Sequence, residues 1–216
     1  MPDLAQLALY FAAALVLAVT PGPGIFYVAA RTLAGGRAEG VVSSVGTGLG
    51  GMVHVLAASL GVSAIVLASA ELFTALKLIG AAYLVWIGFR TIRSARREAS
   101  TALPSGPVTP PMGVRRAFRE GVLVEALNPK TAAFFLAFVP QFLDPAKGSV
   151  AVQFLVLGFV SVALNTLADI MVAFATSGLR EVAAARPVLI RRLREGSGGA
   201  MIALGLGLAL TKRPAT

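Results

Sequence analysis

The chain has 216 residues, 56% of them hydrophobic and 13% charged, with a formal net charge of +9 and a mean hydropathy of +0.81. Soluble domains carry about a quarter charged residues, because polar surface must cover the core; this balance excludes an ordinary soluble protein and makes the bilayer the natural solvent. The basic excess does not read as a nucleic-acid surface, since its arginines lie between apolar runs and are not interleaved with aromatics, and the absence of cysteine removes disulfides, thiolate metal sites and cysteine nucleophiles.

A spanning helix needs about 20 mainly apolar residues to cross about 30 Å of hydrocarbon. Six segments are candidates, and no run of alternating ten-residue strands competes with them. The first, Leu4 to Ala30, has no basic residue ahead of it and is expected to be a retained span, not a cleaved leader. It is interrupted by Thr20, Pro21, Gly22, Pro23 and Gly24. Proline removes an intrahelical hydrogen bond and clashes with the preceding turn, so the helix must break or bend there. A new half-helix is then expected, capped by Thr20 or Gly22 with Pro21 or Pro23 in its first turn.

The second span covers Val41 to Ala70 and carries Ser43, Gly46, Gly50 and Ala57 at small-residue spacing, which favours close helix packing. His54 lies in this span, as a packing residue or as part of a site. The third span, Leu72 to Ile92, has Tyr83 and Trp86 near one end, where they read as interface anchors. From Ser94 to Gly113 runs the one long polar stretch, with Pro104, Pro107, Pro110 and Pro111, which reads as a flexible connection.

The fourth span, Glu120 to Leu143, is interrupted at Asn128, Pro129 and Lys130; Asn128 is a good cap and Pro129 suits a first helical position. Glu125 and Lys130 flank that break, and they either pair with each other, serve a site, or in the case of Lys130 snorkel to the interface. The fifth span, Val150 to Leu179, holds Asp169 with Asn165 one turn before it. A charge in hydrocarbon costs at least about 3 kcal/mol, so Asp169 is expected to face a cavity or a partner, a hydrogen bond to a neighbouring helix being the plainer alternative. The sixth segment, Gly198 to Leu210, is short and glycine-rich, and whether it crosses is open.

Three connections, those after spans one, three and five, hold fourteen of the 19 Lys and Arg residues. Basic loops stay on the cytoplasmic side, so both termini are expected outside. Lys212 and Arg213 in the tail would prefer the inside and weigh against a crossing sixth segment. The expected fold is therefore an all-α integral membrane protein: one transporter domain with a first repeat over residues 1–93, a cytoplasmic linker over 94–118 and a second repeat over 119–216. Three spans per half is an odd number, so the second half enters inverted, a frequent transporter layout. The broken spans one and four occupy the same place in each half, and their half-helix ends, with free N–H groups and positive dipole ends, are expected to meet near the middle of the membrane. Simple proline kinks are the alternative. No HExxH, GxSxG or P-loop occurs, and one histidine leaves little room for zinc chemistry, so no enzyme and no cofactor are expected.

Thr20-Pro21-Gly22-Pro23, Gly36-Arg37 through Gly40, and the glycine-rich stretch from Gly46 to His54 resemble the opening signature of the LysE/RhtB amino-acid exporters. The resemblance continues through Leu76-Lys77, Gly80 to Leu84, Gly88, Gly121, Asn128-Pro129-Lys130 and Pro140-Gln141-Phe142, and so covers nearly the whole chain. It implies proton-driven efflux of amino acids or close derivatives across a bacterial inner membrane, an acidic residue at the position of Asp169, and, by family habit, a homodimer. Glu125 departs from the family pattern, where a neutral polar residue is expected. The expected site lies between spans one, four and five: half-helix ends near Gly24 and Lys130 for a substrate carboxylate, Asp169 and Glu125 for the amino group and the exchanged proton. The rivals are export of another small solute or a metal cation, and a membrane assembly factor that transports nothing.

Overall fold

The structure, a computed structural model, describes residues 4–68, 70–98, 111–178 and 187–210, and among these every regular element is helical. The middle of the proline-rich connection, Arg180 and Arg186, and the basic tail lie outside the described residues.

Helix α1 (Leu4–Val19) stops where the sequence predicts. The Thr20 N–H reaches only to the Leu17 carbonyl, at 3.2 Å, and its hydroxyl turns back onto the Val16 carbonyl. The chain restarts at Pro23, the first residue of α2 (Pro23–Ala68), where the Gly22 carbonyl accepts the Phe26 N–H at 3.0 Å. Gly22 with Pro23 is thus the pair that opens the new helix. Helix α2 bends once, at Gly36, with φ 80° and ψ −175°. A Cβ there would meet nothing within 4 Å, so the backbone conformation and not lack of space calls for glycine. This single residue separates the first two predicted spans, which the sequence reading had divided by a connection of ten residues.

The turn is pinned from the side. Glu39 is buried, and its Oε1 accepts the N–H groups of Met112 and Gly113 at 3.0 and 2.8 Å. Beyond the turn, α2 runs between α4 (Val114–Ala126) and α6 (Val150–Gly178), and its glycines divide between the two neighbours. A Cβ on Gly46 or Gly50 would stand 2.3 or 2.4 Å from the carbonyl oxygens of Phe118 and Val122 in α4. One on Gly48 or Gly51 would press on Thr166 or Val162 of α6. The small-residue face predicted from Ser43, Gly46 and Gly50 therefore packs, as expected, and it packs backbone to backbone.

Helix α4 ends at Ala126, and α5 (Pro129–Ala133) begins after Asn128, whose side chain accepts the Lys130 N–H at 3.0 Å. The path continues through a π turn (Phe134–Phe138) and a 3₁₀ turn (Val139–Phe142). Its two halves are bent by 43°. The π turn seats Phe134, Phe135 and Phe138 in a buried cluster with Tyr10 of α1, whose ring lies 5.1 Å from that of Phe142. The Tyr10 hydroxyl donates to the Leu157 carbonyl at 2.8 Å and takes a hydrogen bond from Ser161, so no polar group is stranded in this apolar layer.

Helix α3 (Ala70–Glu98) packs on α7 (Pro187–Leu210). Their contact is built on Gly88 and Gly198: a Cβ on either would lie 2.5 or 2.6 Å from the carbonyl oxygen of the other. At their ends the Glu195 carboxylate accepts from Arg191 at 3.1 Å and Arg96 at 3.3 Å, which holds its carboxyl below the usual range. The arginines of α3, α4 and α7 that the sequence assigns to connections thus ride on helix ends, Arg31 and Arg37 lie within α2, and the short sixth segment is the second half of a 24-residue helix. By length and composition Pro23–Gly61 and Val150–Ser177 suffice to cross a membrane, the bent pair Val114–Ala126 with Pro129–Phe142 makes a third, and Leu4–Val19 is a shorter apolar helix.

Candidate functional site

The two breaks meet. Lys130, in the first turn of α5, is buried, and its ammonium donates to the carbonyls of Thr20 at 3.0 Å and Leu17 at 3.3 Å. They lie at the end of α1, where the Thr20 carbonyl has left the helix and the Leu17 carbonyl holds only the Thr20 N–H, and a cation is the charge that a helix C-terminus favours. The second broken helix therefore caps the first. Gly22 allows the approach, since a Cβ on it would stand 3.0 Å from Lys130 Nζ. Lys130 neither snorkels nor pairs with Glu125: no ion pair joins them among the described residues.

Glu125 instead faces a different set of groups. Its carboxylate accepts from the Asn128 amide at 2.9 Å and from the Thr131 hydroxyl, and a Cβ on Gly24 would stand 2.7 Å from Glu125 Oε2. A carboxyl group of the protein thus stands against the first turn of α2, where the helix dipole favours negative charge. That is the place the sequence reading gave to a substrate carboxylate near Gly24, and the protein's own side chain occupies it. His54 bonds through Nε2 to the Glu125 backbone carbonyl at 2.9 Å and stacks on Phe135. A carbonyl can only accept, so the ring carries its proton on Nε2.

Two cavities flank this layer. Behind Glu125 a narrow space of about 20 Å³, room for about one water, is lined by Glu125, Thr131, Asn165, Thr166, Thr47 and Asp169. Asp169 is buried and accepts from the Thr47 hydroxyl at 2.7 Å. The Asn165 amide donates to the Ser161 carbonyl at 3.2 Å. In front of Lys130 opens a larger cavity of about 420 Å³. Pro21, Gly22, Pro23, Asn128, Pro129 and Lys130 form one wall, and Tyr83, Trp86 and Arg90 of α3 form another. The structure thus brings Thr20 to Gly24, Glu125, Asn128, Pro129 and Lys130 together, and sets Asp169 and Asn165 behind Glu125. Among the described residues no three His, Asp or Glu side chains converge to hold a metal ion.

The sequence reading missed Thr47, Thr131 and Arg90, and placed Tyr83 and Trp86 at the lipid interface. Thr131 follows the Asn128 cap by three residues, a spacing that returns it to the capped turn. Tyr83, Trp86 and Arg90 recur at i, i+3 and i+7, one helix face, which was a legible signal. Thr47 carried none, because only tertiary packing brings it to Asp169.

The pattern of LysE type translocators matches residues 15–212. The chain is 31% identical over 189 residues, 88% of each chain, to an uncharacterized membrane protein of Pseudomonas aeruginosa. It is 28% identical to a homoserine/homoserine lactone efflux protein of Salmonella typhimurium, over 93% of this chain and 94% of that one. It is 26% identical to a leucine efflux protein of Enterobacter sp., over 68% of each. No solved structure matches it. With one broken helix capping the other inside an apolar bundle, and this match over nearly its full length, the chain is a membrane protein of the LysE type translocator family.

Proposed function

We propose that the protein is a secondary-active exporter of amino acids or close derivatives, working by alternating access in exchange for protons in a bacterial inner membrane. The observation that carries the reading is the cavity of about 420 Å³ into which both helix breaks open. A ligand there contacts Pro21–Pro23 and Asn128–Lys130 together, so its presence or absence bears on how the two broken helices lean on each other. Relatives named as homoserine and leucine efflux proteins give the chemical class.

The architecture belonging to this reading is six spans in two inverted halves, with basic helix ends in the cytoplasm and termini outside. Each half opens with a broken helix, and the reciprocal contact of Gly88 with Gly198 is what a two-fold relation between α3 and α7 would produce. The cavity is walled by the half of α3 leading to the basic connection, which makes this state the inward-facing one.

Coupling runs through Glu125. A buried carboxylate is stable with a proton on it or with donors and cations beside it. Glu125 shares the narrow space with Asp169, bonds the cap of α5 through Asn128, and abuts Gly24 in α2. A proton arriving there from Asp169 weakens the grip on Asn128 and loosens both breaks at once. The test is export from loaded vesicles under an imposed proton gradient. Asp169→Asn should cut the gradient-driven rate by about tenfold or more while leaving folding intact, since asparagine can still meet Thr47. Undiminished gradient-driven export would remove Asp169 from the coupling.

A further inference from the structure

We propose that Arg90, with Trp86 and Tyr83, is the selecting wall of the larger cavity, taking the carboxylate of an amino acid with an uncharged side chain and rejecting dibasic amino acids. The inference rests on the exporter reading for its substrate class, but its grounds are in the wall itself. The charged groups among the cavity's described lining residues are Arg90 and Lys130, and no acid is in that lining; Glu125 and Asp169 act on Lys130 only from behind the layer. Lys130 is committed, with its ammonium donating to Leu17 and Thr20. Arg90 is not: it forms no ion pair among the described residues, and its guanidinium lies 5.5 Å from the centre of the Trp86 ring. The Trp86 ring in turn stacks on Tyr83, with ring centres 5.6 Å apart.

A planar guanidinium braced on an aromatic face keeps its fork of N–H donors aimed, and a carboxylate matches that fork with two parallel hydrogen bonds. The aromatic faces of Trp86 and Tyr83 then lie beside the α-ammonium and an uncharged side chain, the first as a cation–π contact. A second cation on the ligand would enter a cavity already carrying two, with no carboxylate among the described lining residues to receive it. Like charges close together in a partly desolvated space repel strongly. The volume is in the range of small-molecule sites and leaves room for an amino acid with some water.

Trp86 is the one tryptophan in the chain, so its fluorescence reports on this wall directly. Purified full-length protein in lipid nanodiscs would be titrated with leucine, homoserine, leucinamide and lysine. Leucine or homoserine should shift the emission saturably. Leucinamide, which lacks the carboxylate, and lysine, which adds a cation, should need at least about tenfold higher concentration, equivalent to about 1.4 kcal/mol. Arg90→Gln should weaken the leucine or homoserine response by about tenfold or more, and Arg90→Lys should recover part of it. Equal or tighter responses to lysine or leucinamide would overturn the proposal, even if the variants failed to fold. So would an unchanged Arg90→Gln response, or silence of Trp86 across the panel. Silence with export intact in cells would leave the exporter reading standing and move its site elsewhere. Selective binding without export would sink the exporter reading alone.

Discussion

The two cavities lie on either side of one layer of side chains and carry opposite charge. The larger is lined by Lys130 and Arg90, and the narrow one by Glu125 and Asp169. The layer between them is made from the two helix breaks, with Lys130 closing the end of α1 and Glu125 standing at the start of α2. The difference teaches how a protein keeps a pair of basic side chains and a pair of acids close without joining them in ion pairs. Each charge on the layer is satisfied by backbone ends and neutral polar groups, not by its opposite. On the proposed exporter reading, the cationic face is left for a substrate carboxylate and the acidic face for protons.

That contrast can be broken from the cationic side. Lys130→Met keeps the length of the side chain but takes the ammonium donor from the Thr20 carbonyl and leaves the Leu17 carbonyl with the Thr20 N–H alone. Hydrogen bonds to a charged group contribute about 1.5–3 kcal/mol. Thermal unfolding in detergent should show a loss of about 3 kcal/mol, with export gone. A variant as stable as the parent would mean that the end of α1 finds another partner. From the acidic side, Glu125→Gln keeps the shape and removes the charge. Its stability should fall by about 1–2 kcal/mol, because Asn128 and Thr131 lose a charged acceptor. Its export should lose dependence on the proton gradient more than it loses rate at a large outward substrate gradient. Equal losses in both would assign Glu125 a structural role only.

The comparison is sharpened by residues that touch the layer without carrying its charge. Gly36→Ala forces a side chain onto a backbone with φ 80°, at a cost of about 1–2 kcal/mol read in the same melts, with binding at Trp86 unchanged. His54→Phe should do least. It removes one hydrogen bond to the Glu125 carbonyl, worth about 1 kcal/mol, and keeps the stack on Phe135. Its export should stay within about twofold of the parent. A collapse of export would make the ring part of the proton path.

Much of this was legible along the chain. Apolar runs marked the helices because lipid offers no partner for the backbone, so every crossing segment must satisfy its own N–H and C=O groups. Both breaks were legible because proline acts locally, whatever surrounds it. Asn128 announced its cap, and the glycines of the second span announced close packing. What misled was also physical. Charge runs predict connections, yet arginines extend helices well, and α3, α4 and α7 carry them as helical turns.

The sequence by itself determined that the chain is helical and apolar, where its helices fail, and that Glu125, Lys130 and Asp169 lie too deep to be ordinary surface groups, though not that Arg31 and Glu39 do. These follow from composition and short-range sterics, which act within a few residues of the cause. Only the tertiary structure decided the partners: that Lys130 closes α1 and does not meet Glu125, that Glu125 takes the start of α2, and that Arg90 turns into the cavity. Lys130 and Thr20 are 110 residues apart, and the bond between them is set by how α1 and α5 are held together. A charge buried in a bundle takes whichever partner packing brings within hydrogen-bond reach, and packing is a property of all the helices at once.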